Sequence, residues 1–430
     1  MRALRKNRFL ITSAIAIMAI ALSGWALAKH TVLKLPYFQT PSRDFSFIEY
    51  DLNELDIYKP EENFNHLFSK MEKLIFEGEG KISIVHIGGS HVQGGFVTDR
   101  MRQNFSSLSY GLRGERGLVF PYKLAGTNSP SSIKCKWTGT WSGCRNSVSS
   151  HQCDWGVSGI SAITNDSIAS VELYVQNQDS SLYASNKIRL YYQSSGNYGV
   201  LLDSTITVVK IDYHTDKGYI EYQLDRAYSS VKFHFKRPGS DAGYFSFQGV
   251  YFGNDEPGFI YNPIGVNGAG TYSYLRCGLF GEQMKTIKPD LVLFAIGVND
   301  ANVQESDFNA SLFEARYDSL VNIIKQSNPK VSFIFVTNND TYYNRKYPNR
   351  NALKVQEVMQ NLAEKHNGAV YDMFAIMGGL GSIDDWRDNN LAAKDRIHLT
   401  KRGYELQADL MFEAFRNSFG DYLSEPKIEN

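Results

Sequence analysis

Residues 81–105 read KISIVHIGGSHVQGGFVTDRMRQNF, and the fold of the chain follows from how this stretch is built. Residues 82–87 form a β-branched, apolar run of the kind that fills a strand buried on both faces, and it stops at Gly88-Gly89. Just beyond the turn a helix can begin, because Val97, Met101, Phe105 and Leu108 recur at helical spacing. Ser90 therefore sits at the carboxyl end of a buried strand and beside a helix N-terminus. Open α/β sheets do their chemistry there, and backbone N–H groups favour negative charge. From this stretch alone Ser90 is either a nucleophile or a helix cap.

The same texture surrounds it. Upstream, Phe64, Leu67, Met71, Leu74 and Ile75 make a helical stripe. Downstream, residues 271–287 read as a helix and 291–296 as a second buried strand ending at Gly297-Val298-Asn299-Asp300. The pattern repeats at 331–336, ending at Thr337-Asn338-Asn339-Asp340, and is followed by a helix (351–366), a short strand (369–372) and a last helix (402–419). Strand alternating with helix predicts an α/β, doubly wound, flavodoxin-like parallel sheet. Between about 130 and 253 the period changes to two, with strands expected at 171–175, 187–192, 204–213, 219–223, 231–235 and 244–252, separated by turn residues. This predicts an all-β sandwich inserted as a second domain over 130–255, splitting the α/β domain into 61–129 and 256–420. The glycine-punctuated loop 111–128 is a candidate pocket rim. Trp137, Trp141 and Trp155 belong to the insertion and read either as core or as a face for sugar rings.

At 430 residues and 43% hydrophobic side chains, the chain can bury two cores. Acidic and basic residues balance at 45 each, and no basic stripe with interleaved aromatics points to a nucleic-acid partner. Arg2, Arg5, Lys6 and Arg8 lead into an apolar run from Phe9 to about Leu22, and Ala26-Leu27-Ala28 follows. Residues 1–28 thus read as a cleaved signal peptide or an uncleaved membrane anchor, with 29–60 as a linker. Either way the body is expected to be exported, to the periplasm or the outside, with a membrane tether if the segment stays. In that setting one disulfide is expected among Cys135, Cys144 and Cys153. Those three with His151 lack the paired C-x-x-C spacing of a zinc site, so no metal is expected.

Four polar clusters fall in order at strand ends or before the last helix: Gly88-Gly89-Ser90-His91, Gly268 in GVNGAG, Asn299 in GVND, and Asp395-Arg396-Ile397-His398. Together they resemble the SGNH hydrolases, the GDSL esterase family. The resemblance covers 81–128 and 261–419 and leaves the β insertion outside. It implies Ser90 as nucleophile, His398 as general base, Asp395 as the acid that orients it, and an oxyanion hole from Ser90, Gly268 and Asn299, with no cofactor. One departure is plain: the family's Gly-Asp-Ser reads Gly88-Gly89-Ser90. Absence of a G-x-S-x-G elbow argues against the α/β-hydrolase layout. His86 lies inside the strand and reads as a core residue. His91, Asn338, Asn339 and Asp340 are candidate substrate contacts. With export and a β insertion, the pattern is most similar to O-acetylesterases acting on an acylated carbohydrate or peptidoglycan. The alternatives are an O-acetyltransferase or lipid acylhydrolase on the same triad, and a non-catalytic carbohydrate-binding protein.

Overall fold

Alternate residues of each buried strand feed two different cores. From the strand Lys81–Gly88, Ile82 and Ile84 enter one cluster and Val85 and Ile87 the other; from Leu291–Ala295, Leu291 and Leu293 part from Val292 and Phe294 in the same way. Side chains of period two on a sheet covered on both sides produce this partition, and each fully buried Ile, Leu or Val stabilises by roughly 1.5–3 kcal/mol. The computed structural model describes residues 35, 38–109, 111–177, 181–239 and 242–426.

The central sheet holds six strands, here β1 (Asp56–Ile57), β2 (Lys81–Gly88), β3 (Gly258–Gly265), β4 (Leu291–Ala295), β5 (Ser332–Val336) and β6 (Ala369–Tyr371). Their order across the sheet is β1-β6-β5-β4-β2-β3, all parallel except β1 on β6. The five parallel strands thus follow the flavodoxin-like order, and the strand order reverses beside β2, where a cleft forms at the carboxyl ends. Helices Phe64–Glu77, Phe96–Ser107 and Lys401–Ser424 cover one face, and Phe280–Ile287, Ala310–Lys325 and Asn351–His366 the other.

The inserted domain consists of a seven-stranded and a four-stranded antiparallel sheet. They meet through Phe233 and Phe235 on one side and Phe245 and Phe247 on the other. Its core runs without a break into the parallel sheet, since Val85, Phe294 and Phe333 share a cluster with Val171, Leu190 and Phe247. Strand Gly117–Val119, within the expected pocket-rim loop, pairs with Phe245–Gly253 and ties the insertion back to the α/β domain. Four strands lie outside the expected ones: Ile133–Thr138, which alternates as IKCKWT, and Ser142–Arg145, Ile160–Thr164 and Gly199–Leu202, which carry too little alternation to stand out. The strand expected at 204–213 is a turn followed by Val208–His214.

Two further expectations change. The segment expected as a linker is packed from residue 38 to 60: Ile48 and Leu55 are buried, and Asp56–Ile57 adds an antiparallel edge strand. Its apolar residues are too few for periodicity but enough to cover the sheet edge. The helix expected over 271–287 is two, Thr271–Leu275 and Phe280–Ile287. In the break, Leu279 N–H bonds Trp155 O at 3.2 Å and Arg276 reaches the carbonyls of Asn146, Val148 and His151. The expected signal or anchor lies outside the described residues; among those described, no helix is long and apolar enough to cross a membrane.

Candidate active site

The branched run of β2 ends at Gly88, the chain turns at Gly89, and Ser90 opens the short helix Ser90–Gln93. A helix interior fixes its amides in hydrogen bonds, but the first turn leaves them free, and among the described residues the Ser90 N–H has no acceptor. The turn is pinned from below by buried Tyr274, whose hydroxyl donates to Gly88 O at 2.8 Å and Ile264 O at 3.2 Å.

Opposite stands the loop before the last helix. Ser90 Oγ lies 2.7 Å from His398 Nε2, and His398 Nδ1 lies 2.7 Å from Asp395 Oδ2. The left-handed conformation of Arg396 (φ 57°) folds the D-x-x-H segment back on itself, so that Asp395 Oδ1 also accepts the N–H groups of Ile397 and His398, both at 3.0 Å. Partial burial works against the Asp395 carboxylate. The His398 ring and these two amides outweigh it and hold the carboxyl below its ordinary range. A charged Asp395 fixes the imidazole with a bare Nε2 toward Ser90, the tautomer a general base needs.

Gly268 and Asn299 arrive from β3 and β4. Asn299 Nδ2 donates one hydrogen to Ala269 O at 3.0 Å, which leaves the other free. Gly268 has φ +79°, a conformation suited to glycine, and among the described residues its N–H has no acceptor. The departure at position 89 is explained here. A Cβ on Gly89 would stand 3.1 Å from Asn299 Nδ2 and 3.3 Å from Ala269 O, so any side chain would press on the amide facing the oxyanion.

The loop carrying Gly268 is braced by residues that carried no signal in the sequence. Gln93, one turn after Ser90 and fully buried, accepts Asn267 N–H at 2.7 Å and donates to Asn128 O at 2.8 Å. Ser147 Oγ donates to Asn267 O at 2.7 Å, from within the loop closed by the Cys144–Cys153 disulfide. Asp300 accepts from Thr271 N–H and Oγ1, capping the neighbouring helix rather than its own. Replacing Gln93 with leucine should therefore lower kcat about tenfold to a hundredfold with little change in KM, since the Asn267 amide loses its acceptor and the loop its position. Steady-state rates and a melting curve on the same preparation check this.

A cleft of about 500 Å³ opens over Ser90 and His398, walled by Phe96, Asn128, Asn267, Gly268, Asn299, Asn302, Thr341, Tyr342 and Tyr404, among others. The residues expected to contact substrate do not line it. His91 stacks on His398 (ring centroids 5.0 Å apart) and sits 2.8 Å from the Tyr404 hydroxyl, with burial pushing its pKa down to about 3. It backs the catalytic ring as a neutral plate. Asn338, Asn339 and Asp340 are buried behind the wall, where Asn339 donates to Asp340 O and Ile397 O. Polar residues at this strand end serve the turn, and the chain presents Thr341 and Tyr342 to the cleft instead. His86 is buried as expected, 2.7 Å from the Tyr261 hydroxyl. Cys144 and Cys153 form the disulfide, while Cys135 and Cys277 are free thiols. Trp155 is core under Arg276, and Trp141 packs on Phe235.

Burial raises the Asp340 carboxyl to about 6, against donors at Ile383 and Gly381. A raised carboxyl contributes its stability below the ordinary value of 3.8 and loses it as the pH climbs through about 6. Asp340→Asn should remove this slope, gaining on the parent by about 3 kcal/mol at most at pH 7 and by almost nothing at about pH 3.5. Urea titrations at a series of pH values would show it.

Comparison with known proteins agrees with this geometry. Residues 241–406 match the GDSL-like Lipase/Acylhydrolase family, a span that holds Gly268, Asn299, Asp395 and His398. That span is similar to this family. The matched span starts beyond Ser90. Among solved structures, a peptidoglycan O-acetylesterase aligns with a TM-score of 0.69 at 18% identity, over 85% of this chain and 99% of its own, so the SGNH fold and its inserted β domain are shared. A lipase/acylhydrolase from Enterococcus faecalis aligns at 22% identity over 38% of this chain and 78% of its own, with a TM-score of 0.30. An acetylxylan esterase from Geobacillus stearothermophilus aligns at 23% identity over 38% and 74%, also with a TM-score of 0.30. No curated protein matches.

Proposed function

We propose that this esterase removes short acyl groups, chiefly acetyl, from a cell-envelope carbohydrate through an acyl-serine intermediate. The observation that carries the reading is the unbroken chain Asp395–His398–Ser90, at 2.7 Å per link, opening into the cleft beside the two free donors of Gly268 and Asn299. Ser90 Oγ attacks the ester carbonyl while His398 Nε2 takes its proton. The oxyanion that forms is held by the N–H groups of Ser90 and Gly268 and by Asn299 Nδ2. Collapse breaks the ester bond, and the sugar alkoxide leaves with the proton from His398. Water then repeats the sequence on the acyl-serine and releases the carboxylate, returning the proton to Ser90.

The substrate class rests on the cleft and the fold. Asn128, Asn267 and Asn302 offer amides suited to hydroxyl groups, beside the aromatic surfaces of Phe96 and Tyr342. The structural neighbour with the same inserted domain is a peptidoglycan O-acetylesterase, and export through residues 1–28 would bring this chain to such a polymer. Rates on nitrophenyl esters of increasing acyl length should peak at acetyl, and acetate should be released from O-acetylated peptidoglycan. A maximum at eight carbons or more would replace this reading with that of a lipid acylhydrolase. Recovery of the intact chain from the cytosol would remove the export step.

A further inference from the structure

The strand Val208–His214 is the outermost of the seven-stranded sheet, and among the described residues nothing pairs with its outer edge. It is an edge with exposed apolar residues: Ile211 and Tyr213, on one side, are 40% and 62% exposed, and Val209, at a bulge, is 66% exposed. Soluble proteins seldom leave such an edge open, because its unpaired N–H and C=O groups template another strand. Between these residues Lys210 and Asp212 point to the other side of the sheet, in an ion pair of 2.7 Å.

The order of these five residues is self-complementary. In an antiparallel pair about a two-fold axis at Ile211, each residue meets the one equally far on the other side of the centre. Ile211 then faces Ile211 of a second copy and Lys210 faces Asp212, twice over, while Val209, at the bulge, lies at the end of the pairing near Tyr213. The apolar side stays apolar, and the polar side becomes an alternating cluster of four charges. A chance arrangement with two like charges about the centre would repel itself; this one attracts. The register shift against the inner strand falls between Val208 and Lys210, so the regular run 210–214 contains the centre of the pairing.

We infer that the protein forms a two-fold dimer by pairing this strand with its copy, joining the two seven-stranded sheets into one. The surface lies on the inserted domain and none of its residues lines the cleft over Ser90, so ester hydrolysis is independent of it.

The test is charge reversal in the full chain, kept in mild detergent, with mass read by light scattering during gel filtration. The parent should run at twice the protomer mass. Lys210→Glu and Asp212→Lys should each weaken the dimer about tenfold or more, by opposing like charges at two positions. Mixed one to one, these two variants should recover a dimer, because the carboxylate introduced in one then meets the ammonium introduced in the other, and the retained Asp212 meets the retained Lys210. The double variant K210E/D212K should recover it alone. In a second measurement Ile211→Cys should oxidise to a linked dimer far faster than Val209→Cys or Tyr213→Cys, which are not opposite themselves. A monomeric parent, a dimer indifferent to either reversal, or equal cross-linking at the three positions would each overturn the inference.

Discussion

Replacing Ser90 with alanine is expected to lower the rate on a chromogenic acetyl ester by roughly 10⁴-fold or more, with the melting temperature unchanged. Among the described residues the Ser90 hydroxyl is bonded only to the His398 ring, so the fold does not depend on it, whereas the covalent step needs that oxygen. His398→Ala should cost about as much, and the double variant no more than either single change, because nucleophile and base act as one unit. Asp395→Asn should retain more activity. The ring would keep a hydrogen-bond partner but lose the charge that stabilises the imidazolium formed during attack. Near-full activity in Ser90→Ala would remove the assignment of the nucleophile, and strict additivity would remove the assignment of the pair.

The second large effect is expected at Asn299. Its side chain is aimed by one hydrogen bond to Ala269 O at 3.0 Å, and the remaining N–H costs no reorganisation when negative charge develops on the substrate oxygen. Asn299→Ala should reduce kcat roughly a hundredfold to a thousandfold, the usual loss for one oxyanion donor, with KM little altered, since the interaction matters in the transition state. A drop of less than about fivefold would show that the backbone amides of Ser90 and Gly268 hold the oxyanion unaided. Gly89→Asp, which restores the family's more common residue, should also harm this site rather than improve it, because its Cβ would crowd the Asn299 amide.

The position of the insertion gives these predictions a structural setting. Ser147 sits in the loop closed by Cys144–Cys153 and holds the carbonyl of Asn267, next to the oxyanion glycine. Arg276 binds the same loop from the hydrolase side through three carbonyls. The β domain is therefore part of the support of the active site, consistent with the hydrophobic core that it shares with the sheet.

The residue pattern by itself determined the parallel sheet, the insertion and the four polar clusters. Strands buried on both faces are apolar at most positions, and their boundaries are marked by Gly88-Gly89, Gly297 and the turn at Asn338. The D-x-x-H spacing is local, so Asp395 and His398 could be paired from sequence. Only the tertiary structure decided which polar residues at the strand ends face the cleft. Asn338, Asn339 and Asp340 look as accessible in sequence as Asn299, yet their backbone turns inward and Thr341 and Tyr342 take their place on the wall. Gln93 and Ser147 were invisible for a related reason: each braces the Gly268 loop across 174 or 120 residues of chain, a contact that leaves no trace in local spacing. The packing of residues 38–60 belongs with them. A sheet edge recruits whatever apolar side chains lie near it in space, and nearness in space is a property of the folded chain alone.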